Sequence, residues 1–392
     1  MSATESPTVS TTQRAPLPAR VDAIQWLRGM AAMLVVFDHA ALLALENAPQ
    51  AGGAWRLQWF NLAWLGGIGV DVFFVISGFV MALSATRFTG PIGAAHFLLQ
   101  RYNRIAPLYY LLSAVLLADM LRAAVHIDVN EVVNTFTFIP LLDVGAYSWP
   151  IHYLGWTLAF EFVFYVLVAS LIARSGGLSH RWLLALLVAL PFVGIAWPGT
   201  WLPWRMLTSP MMWEFALGVA IFLGWRAGVF TRHRRAGQAG FVIAVLAATL
   251  PAMTDWPIVE RAAGGYWSRD GATIRFLCWG VPAALVVAAG FTLAPDAPGI
   301  ARPALRLLGD MSYSLYLSHL FVVRLMLEAI QRFGLDPMLA MVAVVVVSPF
   351  VAWVVYRLLE QPLLRLGQTR VRALVTMLRA RADARAGVRA NG

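Results

Sequence analysis

One apolar stretch of the sequence carries two polar side chains at a helical spacing. Arg28 stands at the start of RGMAAMLVVFDHAALLAL, and His39 follows eleven residues later. At about 3.6 residues per turn this interval is about three turns, so both side chains project from the same face of a helix. At about 1.5 Å per residue they lie roughly 16 Å apart along the axis, which is about half of a bilayer core.

A histidine at that depth has two interpretations. The structural one is a hydrogen bond to a neighbouring helix, which satisfies a costly imidazole in an apolar environment. The catalytic one is a general base in a membrane-embedded site, because an ordinary imidazole pKa of about 6.5 suits proton transfer near neutral pH. Arg28 would then bind an anion at the cytoplasmic mouth of that site. We predict the catalytic role for His39.

A second pattern is a pair of arginines before an apolar stretch that begins with a proline. Arg101 and Arg104, in RYNRIAPLYY, are three residues apart and share a face if the helix begins before Pro107. Anchoring at the cytoplasmic face explains one arginine, but two of them beside Tyr109 and Tyr110 suit recognition of a phosphate-bearing molecule. On spacing alone, anchoring at the membrane face and phosphate recognition both stay open for this pair.

Two carboxylates lie inside apolar segments. Glu161, in GWTLAFEFVFY, would be costly unpaired, so we expect it to be neutral or paired with His39 or an arginine. Asp71, in GVDVFFVISGFVMAL, would pair with an arginine or meet water outside the membrane, and we assign it to substrate binding. Ser77 and Gly78 in the same stretch favour close packing of helices.

The stretch LLGDMSYSLYLSHLFVVRLML combines several hydroxyl groups with a histidine. Such hydroxyls often bond only neighbouring backbone, so several of these residues are expected to hold helices together. Tyr316 and His319 are the candidates for substrate binding, and His319 is also a second candidate for catalysis. Glu360, in YRLLEQPLLRL, is expected to cap a helix or to form a local ion pair.

The composition defines the class of protein that positions these residues. Of 392 residues, 60% are hydrophobic and 13% are charged, about half the charge of an average soluble protein. The sequence therefore predicts an all-α polytopic membrane protein. Its basic residues are all arginines that lie between and after the apolar segments, so the net charge of +10 does not indicate nucleic-acid binding. The single cysteine, Cys278, excludes disulfides and thiolate metal sites, and we predict no metal.

Hydropathy predicts about ten membrane-spanning helices. They cover residues 28–45, 68–85, 106–122, 156–174, 182–197, 210–226, 238–254, 274–294, 312–330 and 338–357. Most arginines then fall on one side of the membrane, which places both termini in the cytoplasm.

The predicted spans lie between two polar tails. Residues 1–25 are predicted to be a disordered cytoplasmic tail, 26–366 the membrane domain, and 367–392 a basic cytoplasmic tail near the anionic inner leaflet. Segment 132–150 contains two prolines and is predicted to be re-entrant or an extracytoplasmic lid.

These motifs together resemble the membrane-bound acyltransferase-3 family, the O-acetyltransferases of bacterial envelope polysaccharides. The resemblance covers about residues 22–366 and rests on the Arg28–His39 spacing, the Arg101–Arg104 pair, and the stretches GVDVFFVISGF, WTLAFEF, SYSLYLSH and LLEQP. It is strongest to exopolysaccharide acetyltransferases of the succinoglycan type. Asp38 departs from the pattern, since an apolar or aromatic residue is expected there, and WTLAFEF lacks a second acidic residue.

The resemblance implies acetyl-CoA as the donor and a sugar hydroxyl of a glycan or lipid-linked sugar as the acceptor. His39 would take the proton from that hydroxyl, Glu161 would tune or position the site, and the three arginines would hold the CoA phosphates. One alternative keeps the chemistry but uses a secreted small molecule, such as a macrolide, as acceptor. Another is a non-enzymatic transporter of a sugar-lipid, although the sequence shows no internal repeat of the kind common in transporters.

Overall fold

The structure is a computed structural model that describes residues 21–47, 64–143, 145–232, 234–253, 267–293 and 301–390. These residues form an all-α fold, and none of the described ranges contains a β-strand. The first eight helices are α1 (Asp22–Asn47), α2 (Ile68–Ala85), α3 (Gly90–Arg122), α4 (Val129–Thr137), α5 (Gly155–Ser175), α6 (His180–Ala196), α7 (Leu202–Leu207) and α8 (Met212–Arg226). The remaining helices are α9 (Val229–Arg232), α10 (Arg234–Met253), α11 (Arg269–Arg275), α12 (Val281–Leu293), α13 (Ala301–Asp310), α14 (Ser312–Phe333), α15 (Pro337–Val355) and α16 (Gln361–Ala390).

Ten apolar helical segments lie at the positions of the predicted spans. Within the described ranges, eight helical runs are long and apolar enough to cross a membrane. Two shorter apolar helices, His180–Ala196 and Arg235–Thr249, lie at the fifth and seventh predicted spans. The polytopic all-α class is therefore confirmed, while ten crossings and cytoplasmic termini stay predictions.

Helix α2 is the centre of the bundle, and small residues allow its neighbours to approach. A Cβ added at Gly78 would lie 2.2 Å from the backbone oxygen of Phe215 in α8. A Cβ added at Gly218 would lie 2.0 Å from the backbone oxygen of Val75 in α2. The two glycines thus face each other's helices, and close backbone packing of this kind is what associates helices in lipid. The expected packing role of Gly78 agrees with this contact.

Helix α1 packs against α2, α13, α14 and α15. Gly69 in α2 faces α1 so closely that a Cβ there would lie 2.4 Å from the backbone oxygen of Ala31. On the opposite side, a Cβ at Gly309 would meet the backbone oxygen of Gln25 at 2.1 Å. These contacts fix α1, which carries both Arg28 and His39, between two parts of the bundle.

Helix α3 begins well before its proline. The run Gly90–Arg122 is continuous and contains Pro107 in its interior. Arg101 and Arg104 therefore lie on one helix, as the sequence predicts, and three residues apart they share a face.

Segment 132–150 consists of one short helix and an irregular loop. Helix α4 begins with a capping box formed by Asp128 and Glu131, which satisfies the free N–H groups of its first turn. The loop folds back onto the helix, because Asn134 donates to Asp143 and the N–H of Ile151 donates to Thr135 Oγ1. A re-entrant or extracytoplasmic position of this segment stays a prediction.

Helices extend into both predicted tails. Residues 1–20 lie outside the described residues, and α1 begins at Asp22. At the other end, the π-helical turn Tyr356–Glu360 joins α15 to α16 without a break. Residues 367–390 therefore belong to a helix, and α16 packs along α3.

The arginine bias predicts the membrane topology. Reporter fusions at Gln50 and Ala262 should report the outside, and fusions at Arg234 and at the C-terminus should report the cytoplasm, because arginine-rich segments stay inside. Paired alkaline-phosphatase and fluorescent-protein fusions at each position measure this, each serving as the control of the other. A C-terminus outside the membrane would contradict the arrangement with an even number of crossings.

Candidate active site

The predicted arginines meet at a cavity in the bundle. The cavity has a volume of about 120 Å³, and α1, α2, α3, α5 and α14 line it. Arg28, Arg101, Arg104, Glu161 and Tyr316 all contribute to its wall. The other lining residues are mostly apolar or aromatic: Val70, Phe73, Phe74, Ile76, Ser77, Val80, Met81, Ile105, Thr157, Leu158, Tyr165, Ser312 and Tyr313. Five of the predicted site residues are thus brought together from four helices.

Glu161 is held by a hydroxyl group of the central helix. Ser77 Oγ donates a hydrogen bond to Glu161 Oε1 over 2.6 Å. Neither His39 nor an arginine forms an ion pair with this carboxylate among the described residues. Ser77 therefore does more than permit close packing: it orients the carboxylate toward a cavity lined by guanidinium groups.

Arg104 and Glu360 form a long-range ion pair at the cavity wall. Arg104 Nη1 donates to Glu360 Oε1, and Ser314 Oγ donates to Glu360 Oε2. Arg104 also lies over the ring of Tyr313, with its guanidinium carbon 5.2 Å from the ring centre. The expectation of a local ion pair for Glu360 is wrong, because the π-helical turn directs this carboxylate inward, where it is 1% exposed.

The other two arginines of the cavity form no ion pair with any described carboxylate. Arg101 contacts the ring of Phe97 at 5.9 Å, and its Nε is buried with no hydrogen-bond partner. Arg28 forms no ion pair within the described ranges either. Two positive side chains at one cavity without paired carboxylates favour an anionic ligand.

His39 and His319 lie in direct contact. His39 Nδ1 lies 2.8 Å from the carbonyl oxygen of Val35 and 3.3 Å from His319 Nε2. His319 Nδ1 lies 3.0 Å from the carbonyl oxygen of Leu315. A carbonyl only accepts, so the proton of each neutral ring is assigned to Nδ1. The lone pair of His39 therefore lies on Nε2, the nitrogen that can accept a proton from a substrate.

Asp38 takes no part in orienting His39. Its side chain faces the turn before α2, where a Cβ at Gly66 would lie 2.3 Å from Asp38 Cβ. This agrees with the predicted divergence of about 100° between adjacent side chains of a helix. The backbone of Val35 and the ring of Tyr153, whose centre is 5.7 Å from that of His39, define the position of the imidazole instead.

Tyr316 connects the cavity to the histidine pair. It lines the cavity, and its ring centre lies 6.4 Å from that of His319. Its hydroxyl is 2.8 Å from Thr157 Oγ1 and donates to the carbonyl oxygen of Leu154 over 3.2 Å. His39 itself does not line the cavity, so Tyr316 stands between the arginine-lined space and the imidazoles.

Comparison with known proteins assigns this arrangement to a family. The acyltransferase-3 family model, described as an acyltransferase domain, matches residues 21–357. The chain belongs to this family. It is accordingly a multi-pass membrane O-acyltransferase, and the family resemblance seen in the sequence is confirmed.

Three relatives of known name are similar over most of the chain. The exopolysaccharide production protein ExoZ of Rhizobium meliloti (strain 1021) is 31% identical over 319 residues, which are 78% of this chain and 92% of the relative. The acyltransferase MdmB of Streptomyces mycarofaciens is 25% identical over 79% of this chain and 80% of its own. Nodulation protein 10 of Rhizobium leguminosarum bv. viciae is 26% identical over 76% of this chain and 81% of its own. No solved structure matches the chain.

Asp71 lies apart from the acyltransferase cavity. Its carboxylate accepts from Arg275 Nε at 3.0 Å and from Arg275 Nη2 at 2.7 Å, with both side chains buried. Pairing with an arginine is thus what the structure shows, and the predicted role in substrate binding gains no support from this geometry. The sequence analysis missed Arg275. The sequence did contain a signal for it. Arg275 lies near the start of the eighth predicted span, and Asp71 lies near the start of the second, so the predicted topology places both at the same side of the membrane.

The different pairing of Arg101 and Arg104 predicts different phenotypes. Arg104→Ala should lower the amount of folded protein in the membrane, because it leaves the buried carboxylate of Glu360 without its charged partner, at a cost of about 3–5 kcal/mol. Arg101→Ala should leave the protein level unchanged, since no carboxylate loses a partner. Fluorescence size-exclusion chromatography of detergent extracts measures both.

The double variant Arg104→Ala/Glu360→Gln is the control for the Arg104 result. Glutamine removes the uncompensated charge, so the double variant should recover much of the protein level. Equal losses for Arg101→Ala and Arg104→Ala would contradict this division between the two arginines.

Proposed function

We propose that this acyltransferase moves an acetyl group from acetyl-CoA to a hydroxyl group of an exopolysaccharide or of its lipid-linked repeat at the bacterial inner membrane. Membership of the family and the similarity to an exopolysaccharide production protein support acyl transfer in exopolysaccharide synthesis. Beyond this, the proposal adds acetyl-CoA as the donor, acetyl as the transferred group and the bacterial inner membrane as the location.

One observation carries the proposal: a single helix bears the anion-binding and the proton-accepting ends of one polar site. Helix α1 places Arg28 at the cavity and His39 beside His319. Tyr316 contacts both regions. A donor with an anionic end and a thin acyl-bearing arm fits such a site, because the anionic end requires positive charge and the acyl group must reach the base.

The chemistry needs one base and no covalent intermediate. His39 Nε2 takes the proton from the acceptor hydroxyl as its oxygen attacks the thioester carbonyl carbon. The C–S bond then breaks, and the imidazolium returns the proton to the leaving thiolate. The products are the acetyl ester and free CoA, and His39 regains its neutral form.

His319 acts as a positioning residue. Its Nε2 faces the Nδ1–H of His39, so it stabilises the tautomer that leaves His39 Nε2 free for the substrate. Because the carbonyl oxygen of Val35 binds the same N–H, His319 shares this task with the backbone. Loss of His319 should therefore cost less than loss of His39.

The remaining polar side chains bind the donor or adjust the charge balance of the cavity. Arg28 and Arg101 supply charge for the anionic donor, and Arg104 shapes the wall through Glu360. Glu161, held by Ser77, lies among the three guanidinium groups and limits their mutual repulsion. The proposal thus keeps, of the two roles that the resemblance implies for Glu161, the tuning one.

Substitution of the two histidines tests the mechanism. His39→Ala should fold, bind acetyl-CoA and transfer acetyl groups about 10²–10⁴-fold more slowly, as expected for loss of a general base. His319→Ala should retain more activity than His39→Ala, and His319→Gln more still, because its amide oxygen can accept from His39. Glycan O-acetylation and membrane level are measured together for each variant.

The matched control is His126→Ala, which removes an exposed histidine from the loop before α4 and should leave acetylation unchanged. Normal acetylation by His39→Ala at equal protein level would refute His39 as the base. Acetylation lost equally in both alanine variants would give His319 a share in proton transfer.

A further inference from the structure

Two basic cavities adjoin the acyltransferase cavity between α3 and α16. Their volumes are about 460 Å³ and about 300 Å³, so each is larger than the inner cavity of about 120 Å³. His96, Gln100 and Arg101 line both of them, and Arg101 also lines the inner cavity. The side chain of Arg101 therefore stands where all three spaces meet.

Helix α16 directs two arginines into these cavities. Arg379 lines the larger one and Arg372 the smaller one. Seven residues of helix turn through about 700°, only about 20° short of two turns, so both side chains lie on one face about 10 Å apart. Val375 between them is buried against the bundle, which shows that this face packs inward.

A close contact fixes α16 in this position. Asn103 Nδ2 in α3 donates to the carbonyl oxygen of Leu364 over 3.3 Å. A Cβ at Gly367 would lie only 1.5 Å from Asn103 Oδ1. A side chain at this position would displace the amide of Asn103, so packing at the start of the helix contributes to the register of Arg372 and Arg379 against α3.

The walls of both cavities carry positive charge without carboxylates. Arg87 and Arg379 line the larger cavity, Arg104 and Arg372 line the smaller, and neither wall contains an aspartate or glutamate. The buried Nε of Arg101 has no hydrogen-bond partner at the point where the cavities join. Guanidinium groups bind phosphate oxygens through paired N–H donors, so phosphate is the ligand chemistry that fits.

We propose that the phosphate-bearing nucleotide end of the acyl-CoA donor docks between α3 and α16, against Arg372 and Arg379. The inference rests on the proposed donor. The nucleotide occupies the larger, polar spaces, and the thin pantetheine arm passes Arg101 into the smaller, apolar cavity toward Tyr316. The basic C-terminal segment is then part of the donor site and not only an attachment to anionic lipid.

Binding of CoA to the full chain tests this placement. The purified protein is reconstituted in nanodiscs of phosphatidylcholine, and its affinity is measured for CoA and for pantetheine, which lacks the nucleotide and its phosphates. Arg372→Gln and Arg379→Gln should each weaken CoA binding at least about tenfold, since each removes charge-assisted hydrogen bonds to phosphate. The affinity for pantetheine should not change.

The neighbouring arginines provide the controls. Arg370 and Arg381 lie on the same helix and are exposed, as Arg372 and Arg379 also are, but they line neither cavity. Arg370→Gln and Arg381→Gln remove the same charge and should bind CoA within about twofold of the wild type, since exposed charges at a distance are screened.

Three other results would overturn the placement. Equal weakening by all four substitutions would indicate a general electrostatic effect. Unchanged CoA affinity of both Arg372→Gln and Arg379→Gln would exclude these arginines from the donor site and leave them to the phosphates of anionic lipids. Absence of CoA binding by the wild type would refute both the proposed placement and acetyl-CoA as the donor. Normal CoA binding without acetyl transfer would instead refute the proposed function and leave the nucleotide site in place.

Discussion

The ion pair between Arg104 and Glu360 is the interaction on which the site depends. It joins α3 to the turn between α15 and α16, and Ser314 adds α14 to the same cluster. Charges in a membrane helix bundle are costly unless they are paired, so the pair strongly favours this one arrangement of three distant segments. The wall of the cavity and the course of α16 along α3 both follow from it.

That pairing also distinguishes Arg104 from the two other arginines that line the cavity. Arg104 has its charge matched by Glu360, whereas Arg28 and Arg101 face the cavity without a paired carboxylate. Similar residue types at similar depth therefore do different work. The distinction is physical: an already paired guanidinium gains less from a new anion than an unpaired one does.

The sequence predicts the features that depend on local spacing. The helical registry of Arg28 with His39, the arginine pair on α3 and the positions of the apolar helices all follow from periodicity and hydropathy. It does not predict partners distant in the chain, such as Arg275 for Asp71 or Glu360 for Arg104, which are 204 and 256 residues apart. Those pairs depend on helix packing, which composition does not encode. The contact of His39 with His319 was missed for the same reason, although both were candidate residues.

The separation of the base from the donor cavity has a chemical consequence. A thioester beside a free imidazole would be exposed to hydrolysis by any water that the base activates. Tyr316, held by Thr157 and by the carbonyl oxygen of Leu154, stands between the arginine-lined cavity and the histidine pair. The ring of Tyr153, at the end of the loop that precedes α5, also packs against His39. In the proposed reaction the donor therefore approaches His39 past Tyr316, so the thioester reaches the base only after the donor has entered the arginine-lined cavity.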